Sequence, residues 1–132
     1  MDHSQTSGSD SFKAAVVFLL LANGVPAFWL EGARINGWMA SLLEFWALSA
    51  PGIWTGKWVA SFLGVIANLG YLATFIARSN QIPRIAQRSA RIATLAAFAS
   101  IIFLAAGSDR FLPLPGCFLW LLTGLALLRA TR

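Results

Sequence analysis

The sequence predicts an all-α polytopic membrane protein: a small four-helix transmembrane bundle with a short interfacial helix between the first and second spans. Three observations predict it. Hydrophobic residues make up 58% of the 132 residues and charged residues only 11%, where soluble domains carry about a quarter charged. The apolar residues gather into runs close to the ~20 residues that a helix needs to cross a hydrocarbon core of about 30 Å. The basic residues sit at the ends of these runs, with four arginines and no acidic residue between Arg78 and Arg91. In a soluble protein a pI near 10.8 would point to nucleic acid. With the charges placed at membrane edges, lipid phosphate is the expected first partner and no nucleic acid is expected.

Residues 1–11 are, besides Met1 and His3, only Ser, Asp, Gln, Thr and Gly, with little to bury, and are expected to form a disordered cytoplasmic tail. The single transmembrane domain then covers residues 12–132. Its first span is placed at about 12–30, with a kink expected from Asn23, Gly24 and Pro26 in the outer half. Lys13, the apolar run Ala14 to Ala22 and Val25-Pro26-Ala27 also fit a secretory signal cleaved after Ala27. The acidic tail residues Asp2 and Asp10 argue against that alternative, which would leave three spans with the same orientation.

Between the first two spans lies a segment of unusual composition. Trp29, Trp38, Trp46, Trp54 and Trp58 are five of the six tryptophans of the chain. Asn36 can cap a helix over about 37–49, which Ala50-Pro51-Gly52 ends, since the residue before proline disfavours helix. This helix is too short to span. Ser41 and Glu44 lie on one side and Trp38, Leu42, Phe45 and Trp46 on the other. The pattern places it flat at the lipid–water boundary, where indole rings concentrate, or as a lid over the bundle. Trp38 and Trp46 are the candidate partner contacts, because exposed aromatic rings supply large contact area at low entropic cost. The plainer alternative is interfacial anchoring.

The second span, about 58–77, carries Ala60, Gly64, Ala67, Tyr71 and Thr74 at three- and four-residue spacing, with Asn68 and Gly70 adjoining. Such a face lets another helix approach closely, so Ala60, Gly64, Ala67, Asn68 and Tyr71 are the candidate packing residues. A pore lining is the sharper alternative for Asn68. Pro83 suits the first turn of a helix running through Ala106, because its missing N–H is surplus there. Arg84, Arg88 and Arg91 share one face of that helix and are the candidate lipid-headgroup contacts, each gaining roughly 1 kcal/mol beside anionic lipid. Docking of an acidic partner or a specific lipid is the alternative. The embedded portion, about 90–107, carries Ala93, Ala96, Ala97 and Ser100, a fitting partner for the small face of the second span.

Gly107-Ser108-Asp109-Arg110 reads as a tight turn, and the last span is placed at about 111–128, with Pro113 and Pro115 near its start. Apart from Cys117, Thr123 and Gly124 it is bulky and apolar, so much of it is expected to face lipid. Cys117, the one cysteine, is expected to be an inert small hydrophobe. Orientation follows from the positive charges at span ends. Lys13, Arg78, Arg84, Arg88, Arg91, Arg129 and Arg132 fall on one side, against Arg34, Lys57 and Arg110 on the other. The richer side is expected in the cytoplasm of a bacterial inner membrane, with both termini there and the tryptophan-rich connection outside.

The residue types narrow the chemistry further. His3 is the sole histidine and lies in the tail, so bis-histidine haem ligation within the bundle and a multi-histidine metal site are not possible. Asp2, Asp10, Glu31, Glu44 and Asp109 all fall outside the expected spans, whereas coupled carriers commonly use an intramembrane carboxylate. A nucleophile in the fold would lack a histidine base. No catalytic residue, cofactor or metal is expected. Two classes of function remain: a non-catalytic accessory subunit, assembly factor or immunity-type protein acting through helix and exterior contacts, or an oligomeric channel or carrier for a neutral or anionic solute. The first takes a membrane-protein partner or self-association alongside membrane lipids. The second needs several subunits to supply the polar lining that one chain lacks.

Overall fold

The computed structural model describes residues 3–30, 33–40, 42, 56–107 and 111–131. In chain order the elements are α1 (His3–Gly24), β1 (Pro26–Leu30), β2 (Ala33–Asn36), α2 (Gly56–Ser79), α3 (Pro83–Gly107), β3 (Phe111–Pro113) and α4 (Pro115–Ala130). The chain is mostly helical. Val59–Ser79 and Pro83–Ala106 are long and apolar enough to cross a membrane, and Pro115–Ala130 is a shorter apolar helix.

The two long helices form a hairpin closed by three residues. Ile82 N donates to Ala77 O at 2.8 Å and Gln81 N to Arg78 O at 3.1 Å, the paired bonds of a Schellman stop. Gln81 occupies its left-handed position with φ 59°, a conformation that side chains other than glycine adopt at a cost. Ile82 O then accepts Ala86 N at 3.1 Å, so the next helix starts at once, with Pro83 at its first turn.

Within the hairpin, Ala60, Gly64, Ala67, Tyr71 and Thr74 of α2 are all buried, as are Ala86, Ala90, Ala93, Ala97 and Ser100 of α3. The helices approach so closely at Gly70 that a β-carbon there would lie 2.6 Å from Ala93 Cβ. Nearer the other end of the hairpin, Ser100 Oγ donates to Ala60 O at 2.7 Å.

A three-stranded sheet in the order β2-β1-β3 caps the other two helices, both of its pairings antiparallel. It was not expected from the sequence, and it moves two boundaries. The first span was expected to continue to residue 30, but α1 stops at Gly24 and Pro26–Leu30 is a strand. The last was expected from residue 111, but Phe111–Pro113 is a strand and α4 starts at Pro115. Proline placement is consistent with both shifts. Pro26 opens the central strand and Pro113 lies in an edge strand, the positions where a missing N–H costs the ladder least. Leu114, which precedes Pro115, is extended at φ −114°, ψ 172°, and its N–H donates to Ala27 O at 3.0 Å. At the other terminus α1 begins at His3, so residues 3–11 are helical where a disordered tail was expected.

Packing follows a chain of neighbours in which α1 lies on α4, α4 on α3 and α3 on α2. Phe12 of α1 meets Phe75 of α2 edge-on, centroids 5.4 Å apart, and Trp120 of α4 bonds Asn68 of α2. Counted from these two contacts at ~1.5 Å per residue, α2 rises about 10 Å farther than either α1 or α4. The sheet occupies that step, with β1 resting on α4 and β3 reaching α3.

Candidate functional site

The middle of the bundle holds a small polar junction. Trp120 Nε1 donates to Asn68 Oδ1 at 2.9 Å, and Tyr71 Oη donates to the Trp120 carbonyl at 3.0 Å. Tyr71 and Trp120 also meet edge-on, with centroids 6.1 Å apart. Gly124 makes room for the junction: a β-carbon there would lie 2.7 Å from Thr94 Oγ1 and 2.9 Å from Tyr71 Oη. Asn68, expected to bond across a helix interface or to line a pore, has its amide oxygen committed to an indole on α4. Thr74, Thr94 and Thr123 return their hydroxyls to carbonyls four residues earlier in their own helices, at 2.7, 2.7 and 2.9 Å. The junction joins helices and presents no nucleophile–base pair.

Trp38 and the arginine stripe lie at the two ends. Trp38 belongs to a helical turn over residues 37–40 and is 53% exposed. That turn is fixed against the end of α1. Gly37 N donates to Val25 O at 3.2 Å, and a β-carbon on Gly37 would overlap the Ala22 carbonyl. Ile35 and Ala40 on either side of Trp38 are buried, so the exposed indole stands on a rigid base. Trp46, and the expected helix beyond residue 42, lie outside the described residues.

At the opposite end Arg84, Arg88 and Arg91 are all exposed on α3. Arg78 differs from them in being half-buried. Its Nη1 donates to Ala130 O at 2.6 Å and its guanidinium carbon stands 4.7 Å above the Phe12 ring, so one cation ties α1, α2 and α4 together. Cys117 is buried in the first turn of α4, and one face of that helix is packed while Phe118, Leu122 and Leu125 are exposed.

Sequence reasoning singled out the small face of α2 but gave no role to Trp120, Thr94 or the cap made by Arg78. A signal for Trp120 is present. It is the one tryptophan outside the 29–58 cluster, and it stands four residues before Gly124, on the same helix face. Comparison of the chain with known families, curated proteins and solved structures finds no match.

Proposed function

We propose that the chain is a non-catalytic integral protein of a bacterial inner membrane, crossing it four times with both termini in the cytoplasm. It acts as an accessory subunit, assembly factor or immunity-type protein, through its helix faces and its exterior segment. The observation that supports this reading is the inverted distribution of side chains. Among the described residues the largest fully buried side chains are Tyr71, Leu127, Thr74 and Thr123, while Leu20, Leu95 and Ile102 are 70%, 72% and 66% exposed. A soluble domain gains most of its stability by burying such leucines and isoleucines. Lipid removes that incentive and leaves close packing of small residues as the main source of helix association. Helix α4, 16 residues long, reaches only about 24 Å, less than a ~30 Å core. In this reading β3 completes that short crossing at the outer boundary, paired there with β1.

The exterior contact is assigned to Trp38, an exposed aromatic ring on a fixed turn at the sheet end. Reporter fusions at Arg132 and near Gly52 test the topology, and a C-terminal fusion active only outside the cytoplasm would overturn it. Affinity capture from mild detergent tests the role. A stoichiometric foreign membrane protein that is lost on Trp38→Ala, with normal membrane levels and thermal stability, supports contact. A lone homo-oligomer with solute flux in liposomes favours the channel or carrier instead.

A further inference from the structure

At the end of the bundle where α2 stops and α3 begins, a cavity of about 460 Å³ is lined by Arg78, by Gln81 and Ile82 of the turn, by Pro83 and Ala86 of α3, by Ala130 of α4 and by Thr131 just beyond it. We propose that this cavity binds a phosphate group, carried by an anionic lipid headgroup or free in solution. Its size is that of a small-ligand site. Among the described residues its lining holds an arginine and no carboxylate. No acidic side chain occurs in residues 78–91 and 115–132, which contain Arg84, Arg88, Arg91, Arg129 and Arg132 besides Arg78.

Two positive groups converge there. The start of α3 contributes the positive dipole end of a 25-residue helix, although its residues in the lining bring no free N–H, since Pro83 has none and Ala86 N bonds Ile82 O. Arg78 contributes a guanidinium already held in place by Ala130 and Phe12, with one of its five N–H donors used on the carbonyl. The opposing negative end of α4 is largely satisfied. Ala130 O accepts from Arg78, and Leu127 O accepts both the N–H and the hydroxyl of Thr131, at 3.0 and 2.8 Å. A planar, always-charged guanidinium fits phosphate oxygens well. The stripe Arg84, Arg88 and Arg91 is exposed on the surface of α3, whereas Arg78 stands in a half-open cavity between α2, α3 and the end of α4.

The lipid source rests on the membrane-spanning reading, and the soluble source does not. The test is native mass spectrometry of the full chain in detergent, titrated separately with phosphatidylglycerol, phosphatidylcholine and inorganic phosphate. Gln81→Glu places a carboxylate in the lining and leaves the Arg78–Ala130 bond intact. It is expected to weaken phosphatidylglycerol binding about fivefold, the equivalent of one unit charge beside a headgroup. Arg78→Gln is expected to weaken it at least as much, and Arg88→Gln on the exposed stripe less than twofold. Competition by inorganic phosphate identifies the phosphate alone as the ligand, and binding of phosphatidylglycerol only identifies the lipid. Equal retention of both lipids without phosphate binding overturns the proposal. So does a Gln81→Glu variant of unchanged affinity, which leaves Arg78 as a cap on α4. Release of the chain from membranes by alkaline carbonate would overturn the membrane reading alone, and the phosphate titration would still report on the cavity.

Discussion

The α2–α3 hairpin and the α1–α4 pair are built from similarly apolar sequence, yet they are held together by different means. The hairpin joins two uninterrupted helices by side chains so small that the backbones nearly touch, with Gly70 against Ala93 and the Ser100 hydroxyl on the Ala60 carbonyl. The pair joins two shorter helices by backbone pairing above them. Strand β1 follows α1, β3 precedes α4, and the two pair from Phe28–Pro113 to Leu30–Phe111. The lesson lies in where the backbone polar groups go. A helix long enough to cross satisfies its own N–H and C=O groups, whereas a helix that stops early needs another partner for the chain that continues, and here that partner is a sheet. Asn68 and Trp120 bridge the two halves at mid-height.

The sharpest way to break the pair is at the joint between α4 and the sheet. Gly116 is buried, and a β-carbon there would lie 2.7 Å from Pro26 O and 2.9 Å from Ala27 Cα. Both are backbone atoms of the central strand and its start, so neither can swing aside as a flexible side chain would. Gly116→Leu is expected to destabilise the chain by about 3 kcal/mol, the upper part of the usual range for overpacking. The midpoint of SDS-induced unfolding measures it, with Leu122→Phe on the exposed face as a control of small effect. Equal midpoints for the two variants would mean that the sheet contributes nothing to the union of α1 and α4.

The same contrast explains how far the sequence could be read. The small face Ala60, Gly64, Ala67, Tyr71 and Thr74 was visible because helical periodicity sorts small from large residues over about four turns, and the arginines and Pro83 mark where the hairpin bends. The strands were not visible. Pro26–Leu30 is five residues of PAFWL, and a short apolar run carries no periodicity that separates a strand from the end of a helix. One of its two partners, β3, is 81 positions or more away in the chain, as the Leu30–Phe111 pairing shows, and no local pattern announces such a pairing. Pro113-Leu114-Pro115 did hold the correct boundary, since each proline disfavours helix in the residue before it. The candidate junction was half legible for a related reason: Asn68 and Tyr71 stand out as polar residues in a span, whereas Trp120 looks like one more bulky side chain until its indole is seen on Asn68.

Within the hairpin, the close approach can be tested by exchange. Gly70→Ala brings a methyl group to 2.6 Å from Ala93 Cβ, which the two helices must part to admit, at a cost of about 2 kcal/mol. Ala93→Gly alone weakens the helix by ~1 kcal/mol through backbone entropy. The double variant moves the methyl group across the seam and is expected to be more stable than the sum of the single effects by 1 kcal/mol or more, the coupling typical of residues in contact. A strictly additive double variant would show that the helices are not held at this distance by these two residues.

The smallest effect is expected at the bend, where the sequence works against its own conformation. Gln81 has φ 59° and is exposed, and its N–H bonds Arg78 O at 3.1 Å while that of Ile82 bonds Ala77 O. These bonds require the left-handed backbone whatever the side chain, and a residue with a β-carbon meets its own carbonyl there at a cost of roughly 1–2 kcal/mol. Glycine removes that cost but adds freedom to the unfolded chain, which returns part of the gain. Gln81→Gly is therefore expected to raise the SDS-unfolding midpoint by the equivalent of about 0.5 kcal/mol, and Gln81→Val, β-branched at a left-handed position, to lower it by more than that. The pair of variants separates backbone from side chain. If both lower stability, the amide of Gln81 holds the bend through contacts of its own, and the hairpin depends on its turn as well as on its seam.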